Sequence, residues 1–405
     1  MKTKSVKGTR DYLPAEAELR EYMQRTIVEI YRENGFSRIM TPAVEDAENL
    51  DKSDGGDNLN LIFKILKRGD KLTKALESGA ELCDMGLRYD LTLPLTRYFA
   101  ANRQSLPYPF KAIQTDKVYR AENPQKGRLR EFMQCDIDVI GDAEPECEIE
   151  LIAVTAKALM ALDIGAFTVR VNDRAVLNGM LSALGFAEEQ FSSVCVSFDK
   201  LDKIGAEGVA AELLEKGYDK AAVDKLSDLM KQLPLTLEKV TEIVGEEVTL
   251  RLSGIISESQ KIAAGKYGVE FDISLVRGQG YYTGTVFEVR SENFGSSVAG
   301  GGRYDKLIGK FIGEEIPACG FSIGFERIFS ILSEQQRAAS SRKKIAIFYE
   351  DNFAEVYAKA EELRADYDVA IYKKPKKLGA FLNRLQASGF AGFAYSDGNI
   401  KMFEN

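Results

Sequence analysis

The stretch Tyr119 to Gly141, YRAENPQKGRLREFMQCDIDVIG, limits what this chain can fold into more than any other. An apolar, strand-like run, Phe110 to Val118, leads into it, and Arg120 stands just past the end of that run. A polar turn carrying Pro124, Lys126, Gly127, Arg128 and Arg130 follows. The chain then returns as FMQCDIDVIG, where apolar and polar residues alternate at period two, the mark of a strand. Two strands joined by a basic loop of roughly ten residues make a hairpin, its connection longer than the common two- to five-residue turns. Charged loop tips are commonplace on protein surfaces and need no ligand. A cation at the root of the hairpin, with more in its loop, also suits a polyphosphate and a nucleic-acid end.

Composition narrows the setting. A chain of 405 residues has room for two or three domains and a large core. Apolar residues at 45% and charged residues at 29% describe a soluble globular protein. No apolar run approaches the ~20 residues of a membrane span. The opening MKTKSVKGTRDYLP lacks the apolar heart of a signal peptide, so a cytoplasmic protein with no membrane partner is expected. Five scattered cysteines (Cys83, Cys135, Cys147, Cys195, Cys319) form no CxxC pair, and the chain has no histidine. Buried, reduced thiols and no protein-bound metal are therefore expected. The missing histidines also exclude every mechanism built on a histidine base, Ser-His-Asp and Cys-His arrangements included. A net charge of −8 argues against a general nucleic-acid coat but leaves room for local basic tracks at Lys126 to Arg130 and Lys373 to Lys377.

Taken in order, the chain first places Leu19, Met23, Ile27 and Ile30 on one face of an amphipathic helix that runs from about Pro14 to Asn34. FSRIMTPAVED then reads as a strand broken at Pro42, and LNLIFK opens a short apolar hairpin. In LRYDLTLPLTRYFA, Arg88, Asp90 and Thr92 fall on one strand face ahead of a helix starting near Pro94. Small acceptors there could hold an ammonium group, or form an ordinary exposed face. FTVRVNDRAVLNGML is strand then helix, with Asn172 and Arg174 at the junction, and residues 200–265 are helical in composition, with Leu213, Leu214, Val223, Leu226, Leu229 and Met230 as core positions. FDISLVRGQGYYTGTVFEVR reads as strand, glycine turn and strand, and carries Arg277, Tyr281 and Tyr282. A buried arginine needs an anion, of which a reacting phosphate is one candidate. The near match to GxGxxG fails at Thr283 and lacks a strand-then-helix setting, so no dinucleotide fold is expected. AGGGRYDKLI, with Arg303 and Tyr304, lets backbone approach a ligand closely. CGFSIGFERIFSIL is strand, glycine and helix; Arg327 in the helix's first turn is locally unfavourable unless an anion lies near. Past the polar linker Ser333 to Lys344, β and α segments alternate as β-α-β-α-β.

These blocks resemble, in the right order, the class II aminoacyl-tRNA synthetases, and in detail the histidyl-tRNA synthetase family. Arg120, Glu122, Pro124, Gln125, Lys126, Gly127, Arg128, Arg130, Glu131, Phe132 and Gln134 fit its motif 2, R-x-E-x-P-Q-K-G-R-x-R-E-F-x-Q. The helix, strand and proline near Pro42 resemble motif 1, the family's dimer element, and FSIGFER resembles motif 3. LRYDLT and GGGRYD resemble further family blocks, and RGQGYY resembles the signature R-G-L-D-Y-Y, with Gln279 and Gly280 in place of Leu and Asp.

The resemblance implies an α+β fold: an antiparallel sheet flanked by helices, a helical insertion and a small C-terminal α/β domain. Its divisions would be a catalytic core at 1–180 and 263–332, an insertion at 181–262, a linker at 333–344, and a shortened anticodon-binding-like domain at 345–405. It implies a homodimer that uses ATP and Mg²⁺ to convert histidine to histidyl-adenylate and passes it to tRNA(His). By analogy Arg120 and Arg277 stabilise the reacting phosphate, and Arg120, Glu122 and Arg327 bind ATP. Asp90, Thr92 and Gln134 orient the amino acid, Asp138, Tyr281, Tyr282 and Tyr304 form the histidine pocket, and Lys126, Arg128 and Arg130 meet the tRNA end. The alternative is a non-catalytic relative, the regulatory subunit of ATP phosphoribosyltransferase, which binds histidine as an effector. The Gln279-Gly280 change and the short C-terminal domain favour it; the retained Arg120, Arg128, Arg277 and Arg327 favour the ligase. A third possibility is an RNA-binding paralogue without activity.

Overall fold

The hairpin that the alternating pattern demands supplies the second and third strands of a large, eight-stranded sheet. The computed structural model describes residues 2–51, 61–124, 128–276, 282–295, 297–335 and 342–403. Lys126, Arg277 and Tyr281 lie outside the described residues, as do Gln279 and Gly280. The chain forms two units, one of residues 1–10 and 26–331, the other of residues 11–25 and 332–405.

In the first unit the strands are β1 (Ser37–Arg38), β2 (Val44–Asp46), β3 (Lys64–Leu66), β4 (Cys83–Leu87), β5 (Phe110–Tyr119), β6 (Glu131–Ile140), β7 (Phe167–Asp173), β8 (Gly268–Phe271), β9 (Thr285–Ser291), β10 (Ser297–Arg303) and β11 (Ala318–Gly324). Eight of them make one sheet in the order β1-β5-β6-β11-β10-β9-β7-β8. Every pairing from β5 through β7 is antiparallel, while β1 joins β5 and β8 joins β7 in parallel. The expected antiparallel sheet is thus the centre of a mixed one. β5 and β6 pair from Phe110↔Ile140 to Tyr119↔Glu131 without a break in register. The stretch expected as strand, glycine turn and strand departs from the simplest reading, because β8 and β9 do not pair. Both add to β7, one on each side. A smaller antiparallel sheet, β2-β4-β3, carries the segment around Pro42.

Helix Glu146–Leu162 packs on β11 and buries Leu151, Ile152, Ala158 and Leu159. Between β7 and β8 the chain is helical: Arg174–Leu184, Phe191–Phe198, Leu201–Glu215, Lys220–Met230, Leu237–Val244 and Glu246–Ala263. Side-chain caps start three of these, with Asp173, Asp219 and Thr236 each accepting from a backbone amide of the first turn. Leu213, Val223, Leu226, Leu229 and Met230 are buried as the spacing predicts, whereas Leu214 is 42% exposed. Leu213 already fills the core-facing position there, and the next residue on a helix turns about 100° away from it.

The second unit holds β12 (Lys344–Tyr349), β13 (Asp368–Lys373), β14 (Gly392–Ala394) and β15 (Ile400–Met402), in the order β13-β12-β14-β15. β12 is parallel to both neighbours, and β15 closes antiparallel on β14. Alternate residues of β12 point to opposite faces. Ala346 and Phe348 join Leu385 and Phe390 in one core cluster, while Ile347 joins Val356, Ala360 and Ala394 in another.

Candidate active site

Gln134, Asp136 and Asp138 occupy every second position of β6 and therefore share one face of the sheet. Across the pairing with β11, Gly324 stands opposite Gln134, Ser322 opposite Asp136 and Gly320 opposite Asp138. β10 follows with Gly301 and Gly302. Close packing explains the glycines. A Cβ at Gly320 would lie 2.0 Å from Asp138 Oδ1, and one at Gly301 would lie 2.0 Å from the carbonyl oxygen of Gly320. The space saved is occupied by the carboxylate and by a cavity. Thr92, Asp136, Asp138, Tyr282, Tyr304 and Ser322 are among its lining residues, and it holds ≈ 240 Å³ of atom-free space, open mouth included.

Asp138 is 3% exposed. Its Oδ1 accepts from the Tyr304 hydroxyl at 2.6 Å, while its Oδ2 has no partner among the described residues. Burial pushes its pKa up to about 7, with the Tyr304 bond opposing the rise and the Asp90 charge adding to it. Asp136 is also pushed well above the ordinary carboxylate range, first by burial and then by Asp138, against the opposing influence of Ser322 and Arg120. Asp90 is raised by burial, opposed by the amides of Leu93 and Thr92 and by Arg120. Gln134 donates from Nε2 to Ser322 Oγ at 3.1 Å. Gln134 Oε1, Asp136 Oδ1 and Asp138 Oδ2 are all buried acceptors without a partner among the described residues. Leaving such an atom unpaired costs about 1–3 kcal/mol. A small ligand rich in N–H donors and bearing positive charge is what this row can satisfy.

Arg120 stands just beyond β5. Its Nε donates to the Tyr89 carbonyl at 3.0 Å and its guanidinium lies 5.1 Å from the centre of the Phe132 ring. Its charge reaches both Asp90 and Asp136, so it belongs to the same electrostatic site. Glu122 sits 3.6 Å from Arg128, whose side chain is 57% exposed. Arg130 turns the other way. Its Nε donates to the Glu122 carbonyl at 2.9 Å, and its backbone N–H to the Gly8 carbonyl at 2.6 Å, tying the loop base to the N-terminal segment. Arg327, in the first turn of helix Phe325–Glu334, bonds through Nη1 to the carbonyl of Ser297. Its neighbour Glu326 accepts from the Met133 amide at 3.1 Å and so fastens that helix to β6.

Three details differ from the sequence reading. β4 ends at Leu87, so Asp90 and Thr92 lie in a turn and a helix start, not on a strand face. Asp90 Oδ1 accepts from the Leu93 amide at 3.2 Å, and the helix begins at Thr92 rather than near Pro94. Arg88 is 1% exposed and braces the fold, donating to the carbonyls of Thr41 and Lys117, each at 2.8 Å, and pairing with Asp116 at 2.8 Å. Arg303 is likewise a brace: its Nε and Nη2 each meet the Glu148 carboxylate at 2.7 Å. Of the Arg303–Tyr304 pair, only the tyrosine lines the cavity. Asp136 and Ser322 belong to the site and were not singled out from sequence. The period-two row through Gln134 and Asp138 passes through Asp136, and that was the available signal.

Two larger hollows lie elsewhere, ≈ 780 Å³ beside Phe348, Lys374 and Tyr395 and ≈ 720 Å³ beside Asp46, Asp51 and Glu81. Neither has the row of unpartnered acceptors that β6 carries.

Comparison with known proteins agrees with this geometry. Residues 8–328 match the family model described as histidyl-tRNA synthetase. A histidine–tRNA ligase of Leifsonia xyli is 43% identical over 96% of this chain and 94% of its own length. One from Cytophaga hutchinsonii is 36% identical over 92% and 87%. Among solved structures, histidyl-tRNA synthetase from Nostoc sp. PCC 7120 superposes with a TM-score of 0.78 at 27% identity, covering 97% of this chain and 91% of that one. An ATP phosphoribosyltransferase regulatory subunit/histidyl-tRNA synthetase from Bacillus halodurans C superposes with a TM-score of 0.79 at 21% identity, a likeness of fold. The chain belongs to the histidyl-tRNA synthetase family.

Proposed function

We infer that this protein is a histidine–tRNA ligase that activates histidine with ATP and transfers it to tRNA(His). The observation that carries the assignment is the row of unpartnered acceptors on β6, faced by Tyr304 and within reach of the Arg120 charge. A histidine ligand brings donors of two kinds, an α-ammonium and an imidazole N–H. In this reading Asp138, Tyr281, Tyr282 and Tyr304 read the ring, and Asp90, Thr92 and Gln134 hold the ammonium. A site built to pair polar atoms rejects analogues that lack them, because its own buried groups are then left unpaired.

In the first step the histidine carboxylate attacks the α-phosphorus of ATP, and the bond to the β-phosphate oxygen breaks to release pyrophosphate. Arg120 and Arg277 stabilise the charge on the pentavalent phosphorus through hydrogen bonds that strengthen as that charge develops. Glu122 and Arg327 hold the nucleotide. Mg²⁺, held mainly by the phosphates of ATP as is usual for that ion, would supply charge neutralisation for the pyrophosphate. In the second step a terminal hydroxyl of tRNA attacks the acyl carbon and AMP leaves, with Lys126, Arg128 and Arg130 beside the tRNA end. No histidine of the protein is needed in either step. A homodimer, a cytoplasmic setting, a helical insertion at 181–262 that meets tRNA and a C-terminal domain at 345–405 that meets the anticodon complete the proposal.

The competing reading is the histidine-sensing relative, favoured by Gln279-Gly280. Charging of tRNA(His) with labelled L-histidine and ATP separates the two. The ligase yields acid-precipitable label in proportion to enzyme. A sensor binds L-histidine in calorimetry and charges nothing.

A further inference from the structure

Asp136 lines the cavity, and Ser322 stands between it and Gln134. Ser322 stands directly opposite Asp136 in the β6–β11 pairing, and cross-strand neighbours on one face lie close enough to interact. Gln134 Nε2 donates to Ser322 Oγ at 3.1 Å, and the Ser322 hydroxyl lies beside the Asp136 carboxyl and opposes the rise in its pKa. Asp136 Oδ1 and Gln134 Oε1 are both left buried without a partner among the described residues.

A glutamine amide can turn through 180°, and only its neighbours decide whether oxygen or nitrogen faces a ligand. A serine hydroxyl has one proton to give. If that proton goes to Asp136, the serine oxygen must accept from Gln134, and the amide oxygen is driven the other way. We propose that Asp136 is a positioning residue for histidine recognition, acting through Ser322 to hold the Gln134 carbonyl oxygen toward the α-ammonium of the ligand. The relay runs Gln134 Nε2–H to Ser322 Oγ, then Ser322 O–H to the Asp136 carboxyl. It works whether or not Asp136 carries a proton, since one carboxyl oxygen remains free to accept from Ser322. An asparagine in its place could turn its own N–H₂ toward Ser322. The serine proton would then point at Gln134, the amide would flip, and N–H groups would face the ammonium.

This inference rests on the histidine-ligase reading, and calorimetry of L-histidine and of ATP against the full-length protein tests it separately. Asp136→Asn is expected to weaken L-histidine about tenfold or more, the effect of one hydrogen bond to a charged group, while leaving ATP affinity within about twofold. Ser322→Ala is expected to cost less, because it frees the amide without forcing the wrong end forward. Asp136→Asn combined with Ser322→Ala is expected to recover to the level of Ser322→Ala alone. A mere loss of packing would not show such rescue. Full loss in the double variant would overturn the relay and make Asp136 a direct ligand contact. If Asp136→Asn fails to fold, unchanged histidine affinity in Ser322→Ala overturns the proposal by itself. Wild-type protein that binds no L-histidine would contradict the ligase reading instead.

Discussion

The residue on which the proposed recognition of histidine turns is Asp138, and its environment makes two predictions. Gly320 leaves no room for a side chain, since its Cβ would lie 2.0 Å from Asp138 Oδ1. Gly320→Ala should therefore push the carboxylate off the Tyr304 hydroxyl and weaken L-histidine at least about tenfold, with ATP binding retained; calorimetry of both ligands checks this. The second prediction concerns pH. Burial raises Asp138 to about 7 in the folded protein, above the ordinary carboxylate value that holds when the chain is unfolded. The folded state then binds the extra proton between those values. The stabilisation is full at acid pH and is lost as pH rises through about 7. Melting temperature of the ligand-free protein should fall from pH 5 to pH 8, and fall less in Asp138→Asn. Some slope should remain, because Asp136 and Asp90 are raised in the same direction. At this scale the sequence was partly legible. Gln134, Asp138 and Tyr304 could be proposed as site residues because they stand in blocks whose spacing is distinctive. The roles of Arg88 and Arg303 could not, because each depends on partners remote in sequence: the bond from Arg303 to Glu148 spans 155 positions.

Among the elements, β6, its neighbour β11 and β10 beyond it carry the candidate site, and helix Glu146–Leu162 packs against β11 and β6. Glu148 on that helix is 0% exposed and takes both Arg303 and Arg251. Removing one partner of a buried ion pair typically costs about 3–5 kcal/mol, because the other charge is left uncompensated. Glu148→Gln should lower the unfolding free energy by an amount of that order in urea titrations, without touching a cavity residue. A second element-scale prediction concerns the N-terminal segment. Gly8 has φ +89°, and a Cβ there would lie 2.7 Å from both Arg130 Cγ and Pro124 Cγ. Gly8→Ala should loosen the base of the β5–β6 loop and raise the KM for ATP several-fold, with histidine affinity unchanged; initial-rate kinetics decide. The β5–β6 hairpin itself was evident in the sequence, since period-two alternation and a polar loop are local signals. That β8 and β9 would flank β7 was not, because the order of strands in a sheet is set by tertiary pairing and leaves no mark on the linking residues.

For the molecule as a whole, the sequence motifs, the sheet order and the match over residues 8–328 converge on one family. Its members separate on whether the site performs chemistry or only binds. The measurement that tests this most directly is amino-acid-dependent ATP–pyrophosphate exchange, run with wild-type protein and with Arg120→Ala. The predicted result is exchange with L-histidine and with no other amino acid, falling by about 10²–10³-fold in the variant, as expected when a group aimed at developing charge is removed. Absence of exchange in wild-type protein that still binds L-histidine, or undiminished exchange in Arg120→Ala, would contradict it.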